Sequence, residues 1–258
     1  MTRRAAVFQV RSLRLMAEYE ASTYGDEIAE VYDSLNPQYD PAAIAALVEL
    51  AGDGPILELG IGTGRLAVPI AQRGVAVHGI DASPAMLEKL RRKPGGEAIA
   101  VSLGNFADVA VDREFSLVFV AFNTFFGLQT QEEQVRCFQR VASVLRRGGA
   151  FVIEAFVPDP ARFDRGQRLG VSRIEPDQTW LEASQHHAAT QIVEARLIRV
   201  SPSGLQLFPI RIRYAWPSEL DLMARIADLR LRDRWSGWQR QPFTSESPSH
   251  VSVYVRAD

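Results

Sequence analysis

Residues 56–74, ILELGIGTGRLAVPIAQRG, set Gly60, Gly62 and Gly64 at alternate positions, directly after a short apolar run and directly before a helical one. A strand–turn–helix of this kind lets the backbone pass close to a ligand and aims helix N–H groups at it. The spacing is G-x-G-x-G, and Arg65 stands where the nicotinamide and flavin fingerprint, G-x-G-x-x-G, places its third glycine. Glu58 lies two residues before the first glycine. A carboxylate there opposes a pyrophosphate and suits an ammonium group, which dinucleotides lack. Asp81, followed by Ala82, ends the next apolar run, where a carboxylate can accept from both hydroxyls of a ribose.

Other side chains bear on a second substrate. His186 and His187 fall at a predicted hairpin tip and titrate in the range that suits a general base; the alternative is a pair of solvated turn residues. Glu154 comes late in a predicted strand, and ligand crevices lie outside the carboxyl ends of parallel strands. In NTFFGL, Phe125 and Phe126 stand where a loop leaves the sheet; one ring is assigned to a pocket and the other to the core, without deciding which. His78 reads as a core residue and His250 as a strand-end residue without a role. Cys137 is the only cysteine, which excludes an intramolecular disulfide and a cysteine-based zinc cage, and no metal site is expected.

These groups must be positioned by an alternation of strands and helices. Helices are expected over 38–52, 65–73, 83–92 and from Thr130 to Gly148-Gly149, with Ser83 as an N-cap and Thr130/Glu133 as a capping box. Strands are expected at 56–59, 75–81, 98–102, 115–121 and 150–157. Such a β–α–β series predicts an α/β fold whose sheet carries helices on both faces. The last third differs: 178–187, 190–200 and 204–216 read as three antiparallel strands, followed by a helix in PSELDLMARIADL. Leu229, Leu231 and Trp235 alternate with Arg230, Arg232 and Arg234 as a strand with a solvated arginine face, and HVSVYVR closes the sheet.

Composition limits the function. The chain has 258 residues, 47% hydrophobic and 23% charged, which suits one globular domain with a subdomain. A net charge of −2 gives no field for a polyphosphate backbone, so nucleic acid is excluded as a partner. The apolar runs are strand-length and no basic-then-apolar leader precedes them, so neither a membrane span nor a secretory signal is expected and the default compartment is the cytoplasm.

Glu58-Leu59-Gly60-Ile61-Gly62-Thr63-Gly64 and the Asp81 of HGIDAS together resemble the class I S-adenosylmethionine-dependent methyltransferases. The resemblance covers roughly residues 24–156 and implies a Rossmann-like, seven-stranded mixed sheet. It implies further that Glu58, Gly60, Gly62, Gly64, Arg65, Asp81 and Ala82 bind the cofactor, S-adenosyl-L-methionine. Asn105 and Phe106 take the place beside the adenine, where the family usually has an aspartate; the Asn amide still offers a donor and an acceptor. Ala121, Phe122 and Asn123, in VFVAFN, border the cofactor and the substrate.

YGDEIAEVYDSL and the late antiparallel segment are similar to the branch that methylates amino sugars and antibiotic intermediates. That likeness implies a lid, residues 1–36, whose Tyr24 and Tyr32 help to enclose the methyl group, with Tyr24 the candidate for alignment. A domain over 37–258 then carries an insertion, 165–216, over the acceptor site. Its tryptophans build its own core or an interface between subunits of a homo-oligomer. The expected reaction is methyl transfer to an amine, in preference to a hydroxyl, of a small molecule. The alternatives are a nicotinamide-dependent oxidoreductase and a noncatalytic cofactor-binding scaffold.

Overall fold

The computed structural model describes residues 19–37 and 39–256. Residues 1–18 of the expected lid, Gln38 of the helix expected over 38–52 and residues 257–258 of the expected domain lie outside this range. The elements in order are α1 (Thr23–Leu35), α2 (Pro41–Ala51), β1 (Ile56–Leu59), α3 (Ala67–Ala71), β2 (Val77–Asp81), α4 (Pro84–Arg91), β3 (Ala100–Leu103) and β4 (Phe115–Val120). They continue with α5 (Gln131–Val144), β5 (Leu145–Phe156), β6 (Gln167–Ile174), β7 (Thr179–His187), β8 (Ile192–Ser201), β9 (Gly204–Arg213), α6 (Pro217–Ile226), β10 (Leu229–Trp235) and β11 (Ser249–Arg256).

The first sheet has the order β10-β11-β5-β4-β1-β2-β3. β1 to β5 run parallel, and β11 enters antiparallel between β5 and β10. Because successive strand side chains point to opposite faces, Leu57, Val118, Phe151 and Ile153 pack under α5 and α6, while Ile56, Leu117, Phe119 and Val152 pack under α2. Capping chemistry sets several helix starts: Asp40 accepts from the Ala42 N–H at 2.8 Å, Ser83 from Met86 at 3.1 Å, and Thr130 and Glu133 form the expected capping box.

Three features depart from the sequence expectations. The fifth helix stops at Val144 and β5 starts at Leu145, because Arg146–Gly149 form a bulge in the β4–β5 ladder, with Gly148 at φ 73°. The second sheet has four strands, not three; β6 is an exposed edge strand whose short apolar alternation gives little signal. On β10 a bulge between Leu231 and Asp233 breaks the arginine alternation, so Arg234 is not on a solvated face. It bonds Asp221 at 2.6 Å and the Tyr254 hydroxyl at 3.1 Å.

The second sheet, order β6-β7-β8-β9, is an antiparallel meander. Trp180 and Phe208 on one of its faces pack against Ile28, Ala29 and Tyr32 of α1. The helix is thus held between this sheet and Met86 of α4. No described helix is long and apolar enough to cross a membrane.

Candidate active site

A cavity of about 310 Å³ lies at the carboxyl ends of β1, β2 and β4, beneath α1, with β9 on its far wall. The sheet order reverses between β1 and β4, and a crevice forms at such a switch point because neighbouring connections leave in opposite directions. Gly60, Gly62 and Gly64 all have positive φ, 55° to 73°. Their reasons for being glycine differ. A Cβ at Gly60 would come within 2.3 Å of Thr124, and one at Gly64 within 2.2 Å of Leu90, so both are required by packing as well as by conformation. At Gly62 a Cβ would meet only the Gly60 carbonyl, at 4.0 Å. Gly60 and Gly62 line the cavity; Gly64 turns away under α4.

Asp81 is fixed by two backbone donors, Gly62 N–H to Oδ2 at 2.7 Å and Ser83 N–H to Oδ1 at 2.8 Å. Burial raises its pKa, opposed by those hydrogen bonds. Glu58 is buried behind the glycine turn, where a recess of about 20 Å³ is lined by Tyr32, Glu58, Arg65 and Ala121 among others. Burial, reinforced by Asp81, pushes the Glu58 carboxyl well above its ordinary value, against the opposing effect of Arg65. Its Oε2 is buried without a hydrogen-bond donor. The Arg65 guanidinium lies 3.6 Å from the centre of the Phe122 ring and also bonds the Tyr32 hydroxyl. Ala82, Asn105 and Phe106 join the same wall of the main cavity, and Asn105 Oδ1 accepts from the Ala107 N–H at 2.9 Å.

At the end of β4, Phe122 and Asn123 both adopt left-handed backbone, φ 54° and 65°. Two such non-glycine residues in succession are strained and need support. Glu154 supplies it: Oε2 accepts from the Phe122 N–H at 2.9 Å, and Oε1 accepts from Trp238 Nε1–H at 2.8 Å. Asn123 Oδ1 in turn accepts from the Phe156 N–H at 2.6 Å. Glu154 therefore does not line the cavity, contrary to its sequence assignment, because one of its oxygens is occupied by the Phe122 N–H of the loop it holds and the other by Trp238. Phe125 and Phe126 are corrected as well. Both are fully buried, edge-on to Phe138 at 5.5 Å and Phe156 at 4.9 Å, so neither ring reaches the cavity.

α1 closes the cavity from above with Tyr24 and Tyr32. Gly25 lets it approach, since a Cβ there would lie 2.5 Å from Ser83 Cβ. Asp26 accepts from the Ser83 hydroxyl at 2.6 Å, and Asp33 accepts from Thr63 Oγ1 at 2.6 Å and pairs with Lys93 at 2.9 Å. Burial raises the Tyr24 pKa, as do the neighbouring phenols of Tyr32 and Tyr19.

His186 and His187 are absent from the cavity lining. The rung His186–Val193–Ile212 puts a whole strand between the imidazole and Ile212, the residue that does reach the cavity, a separation of about 10 Å. His186 instead stacks on Phe163 and contacts the Tyr214 hydroxyl at 2.9 Å, while His187 is exposed with Glu194 at 4.0 Å. Sequence reasoning missed the far wall: Tyr19, Thr124, Leu128, Phe156 and Ile210–Ile212. Tyr19 is pushed up to about 12 by burial, opposed by a backbone hydrogen bond from Arg211. Among the described residues no group of three His, Cys, Asp or Glu side chains is arranged to hold a metal ion.

Comparison with known proteins agrees with this geometry. A family model described as a methyltransferase domain matches residues 56–149. The chain is 30% identical over 245 residues to the cypemycin N-terminal methyltransferase of a Streptomyces species, covering 92% of this chain and 99% of that one. It is 41% identical to the CcbJ methyltransferase of Streptomyces caelestis, with a TM-score of 0.88 over 93% of this chain and 100% of that structure. CalS10, an amino pentose methyltransferase from Micromonospora echinaspora solved with S-adenosylmethionine bound, shares the fold at 22% identity and a TM-score of 0.61, covering 99% of this chain and 100% of that one.

Proposed function

The chain belongs to the S-adenosylmethionine-dependent methyltransferases, and from that premise we propose that it methylates a neutral amine of a small molecule in antibiotic biosynthesis. A nicotinamide cofactor is set aside with the family. The residues fit S-adenosylmethionine on one observation above all: Glu58 Oε2 is a buried acceptor with no donor, behind the turn where a methionyl ammonium would lie. Glu58 would accept from that ammonium, Arg65 would face the methionyl carboxylate, and Asp81 would accept from the ribose hydroxyls while Gly62 and Ser83 hold its carboxylate in place. Asn105 and Phe106 would flank the adenine.

The bound cofactor supplies an already activated methyl on a sulfonium, so no protein group has to activate it. What remains for this chain is to align the nucleophile, to exclude water and to tolerate loss of a proton. Tyr24 under α1 is suited to alignment, because its phenol is buried, stays protonated across the working pH range and lines the cavity.

The acceptor wall carries the preference for an amine. Among the described lining residues, Tyr19, Leu128, Phe156, Ile210 and Ile212 bring no imidazole, and Asp81, committed to the cofactor side, is the only carboxylate. An amine that arrives neutral needs no base, whereas a hydroxyl would forgo a gain of roughly 10²–10⁴-fold without one. The relative of 30% identity is named as the cypemycin N-terminal methyltransferase, and that name supports an amine acceptor. The test is a screen of amine and hydroxyl acceptors with radiolabelled cofactor. Label on amines supports the proposal; a hydroxyl as the best acceptor overturns it.

A further inference from the structure

β9 is an edge strand, paired only with β8 in the second sheet. In an antiparallel pair the backbone groups of alternate residues point toward the partner strand, and those between them point away. Tyr214 N–H donates to the Gln191 carbonyl at 3.0 Å, on the side of β8, so the backbone groups of Arg211 and Arg213 point outward from the edge. Backbone groups removed from water need partners, and here side chains supply them. The Tyr19 phenol takes the Arg211 N–H. Gln129 Nε2 donates to the Arg211 carbonyl at 2.9 Å, and Gln134 Nε2 donates to the Arg213 carbonyl at 2.8 Å.

The same two amides hold a second piece of backbone. Gln129 Nε2 also donates to the Gly127 carbonyl at 2.7 Å, and Gln134 Nε2 to the Leu128 carbonyl at 3.3 Å. Gly127 and Leu128 line the cavity from the turn after β4, and Ile210–Ile212 line it from β9. Each amide therefore joins one carbonyl of that turn to one carbonyl of β9. The two β9 carbonyls stand two residues, about 6.8 Å, apart, so the joints resist sliding and rotation as well as separation. Both side chains are anchored at the start of α5. Gln134 is fully buried on that helix, and its Oε1 accepts from Arg213 Nη1, which fixes the orientation of the amide. The Gln129 N–H donates to Glu133 Oε2 at 2.8 Å. α5 itself lies on the core of the first sheet through Cys137, Phe138 and Val141.

We propose that Gln129 and Gln134 are positioning residues that set the width of the acceptor pocket, and through it the size of acceptor that methyl transfer admits. The proposal rests on the reading of this wall as the acceptor side. Neither glutamine lines the cavity, so both act through the backbone they join. The joined segments present Leu128, Ile210 and Ile212, whose apolar contacts have no direction and discriminate by fit alone. One methylene in an apolar pocket changes specificity by roughly 10–200-fold, which requires walls that do not yield. The joints supply that resistance by fixing β9, an edge strand, to a helix of the first sheet.

Gln134→Glu keeps the shape of the side chain and an acceptor for Arg213 but removes both donors, and Gln129→Glu does the same at the other joint. Gln139→Glu, at an exposed position of α5, controls for the added charge and should behave as wild type. Hydrogen exchange on the S-adenosylhomocysteine complex reads the joints without any acceptor. Amides over 126–129 and 210–214 should exchange at least about fivefold faster in each joint variant, the equivalent of one lost hydrogen bond. Transfer from radiolabelled cofactor to cycloalkylamines, from cyclobutylamine to cyclooctylamine, and to the matching cycloalkanols reads the pocket. In the wild type one added ring methylene should cut kcat/KM roughly tenfold or more at the limiting size. Each joint variant should raise KM for the preferred ring roughly tenfold, keep kcat within about threefold and flatten the ring-size step toward unity, with unchanged affinity for S-adenosylhomocysteine. A merely smaller folded fraction would lower kcat and leave both KM and the step in place. Should Gln134→Glu fail to fold, Gln129→Glu, at a half-buried side chain, decides. Label on the alcohols alone overturns the amine reading, and the ring-size step then tests the joints on that series. Label on neither series overturns the acceptor assignment of this wall and the proposal with it. Unchanged exchange in both segments, or an unchanged ring-size step, overturns the proposal alone.

Discussion

Glu58→Gln separates the charge of the recess from its shape. In the wild type the folded protein holds the Glu58 proton more tightly than the unfolded chain, because burial and Asp81 raise its pKa. The stability this contributes is therefore present at pH below the ordinary carboxylate range and is lost as pH rises through the raised value. Gln removes that dependence, so the ligand-free variant should melt no lower than wild type at neutral pH. Cofactor binding should suffer. A charge-assisted hydrogen bond contributes about 1.5–3 kcal/mol. Gln can still accept from an ammonium with its one oxygen, but that oxygen must then leave the Ala67 backbone bond that the carboxylate also serves. The expected loss for S-adenosylhomocysteine is thus roughly ten- to hundredfold in Kd. Titration calorimetry measures it, with 5′-methylthioadenosine, which lacks the amino-acid portion, as the comparison ligand. The ratio between wild type and variant should collapse to near unity for that ligand. At a pH low enough for the raised Glu58 carboxyl to hold its proton, wild-type binding should release that proton to the buffer, making the observed heat depend on buffer ionisation enthalpy, and the variant should lose this dependence. An unchanged Kd, or an equal loss for both ligands, would refute the assignment of Glu58 to the ammonium.

Asp81→Asn should weaken S-adenosylhomocysteine at least tenfold by calorimetry and also lower the melting temperature of the ligand-free protein, since the amide turns a donor toward either the Gly62 or the Ser83 N–H. Hydrogen exchange across residues 23–35 should slow when S-adenosylhomocysteine is added. Of the ion pairs that tie α1 down, Lys89–Glu30 is exposed and Lys93–Asp33 is partly exposed and worth at most about 1 kcal/mol, so equal protection with and without ligand would make α1 a permanent wall, not a lid. His186→Ala and His187→Ala should keep turnover within about tenfold on the best amine acceptor; a larger loss with cofactor affinity intact would bring the β7–β8 turn into the chemistry.

Local chemistry made the first half of the molecule legible. Ile56–Leu59, the Asp40 and Ser83 caps and the Thr130/Glu133 box depend on neighbours within a few residues, and glycine spacing marked the turn that Asp81 closes. What escaped depends on phase or on distant pairing. Thr124–Gly127 form a 3₁₀ turn entered through the left-handed Asn123, and that phase sends both phenylalanine rings inward while Thr124 and Leu128 face the cavity. Ile210–Ile212 reach the cavity only because the second sheet folds back over the first, which no local pattern in β9 announces. Arg234 escaped because one bulge, invisible in an alternating run, exchanges solvent for Asp221 and Tyr254.

The Phe122–Asn123 strain links parts of the site that the sequence keeps far apart. Phe122 carries the Arg65 guanidinium on its ring and Asn123 borders the cavity, so the conformation of these two residues sets both the recess behind the glycine turn and the acceptor side. That conformation is held by Glu154, whose second oxygen is fixed by Trp238 on the segment between β10 and β11. Burial raises the Glu154 pKa, opposed by the bonds from Phe122 and Trp238, so those two donors are what keep a carboxylate acceptable there. A carboxylate that faces no ligand therefore still governs where the cofactor-side arginine and the acceptor wall stand. The carboxyl ends of β4 and β5 and the approach to β11 thus behave as one unit, and a change at Trp238 should reach the cavity through a single side chain.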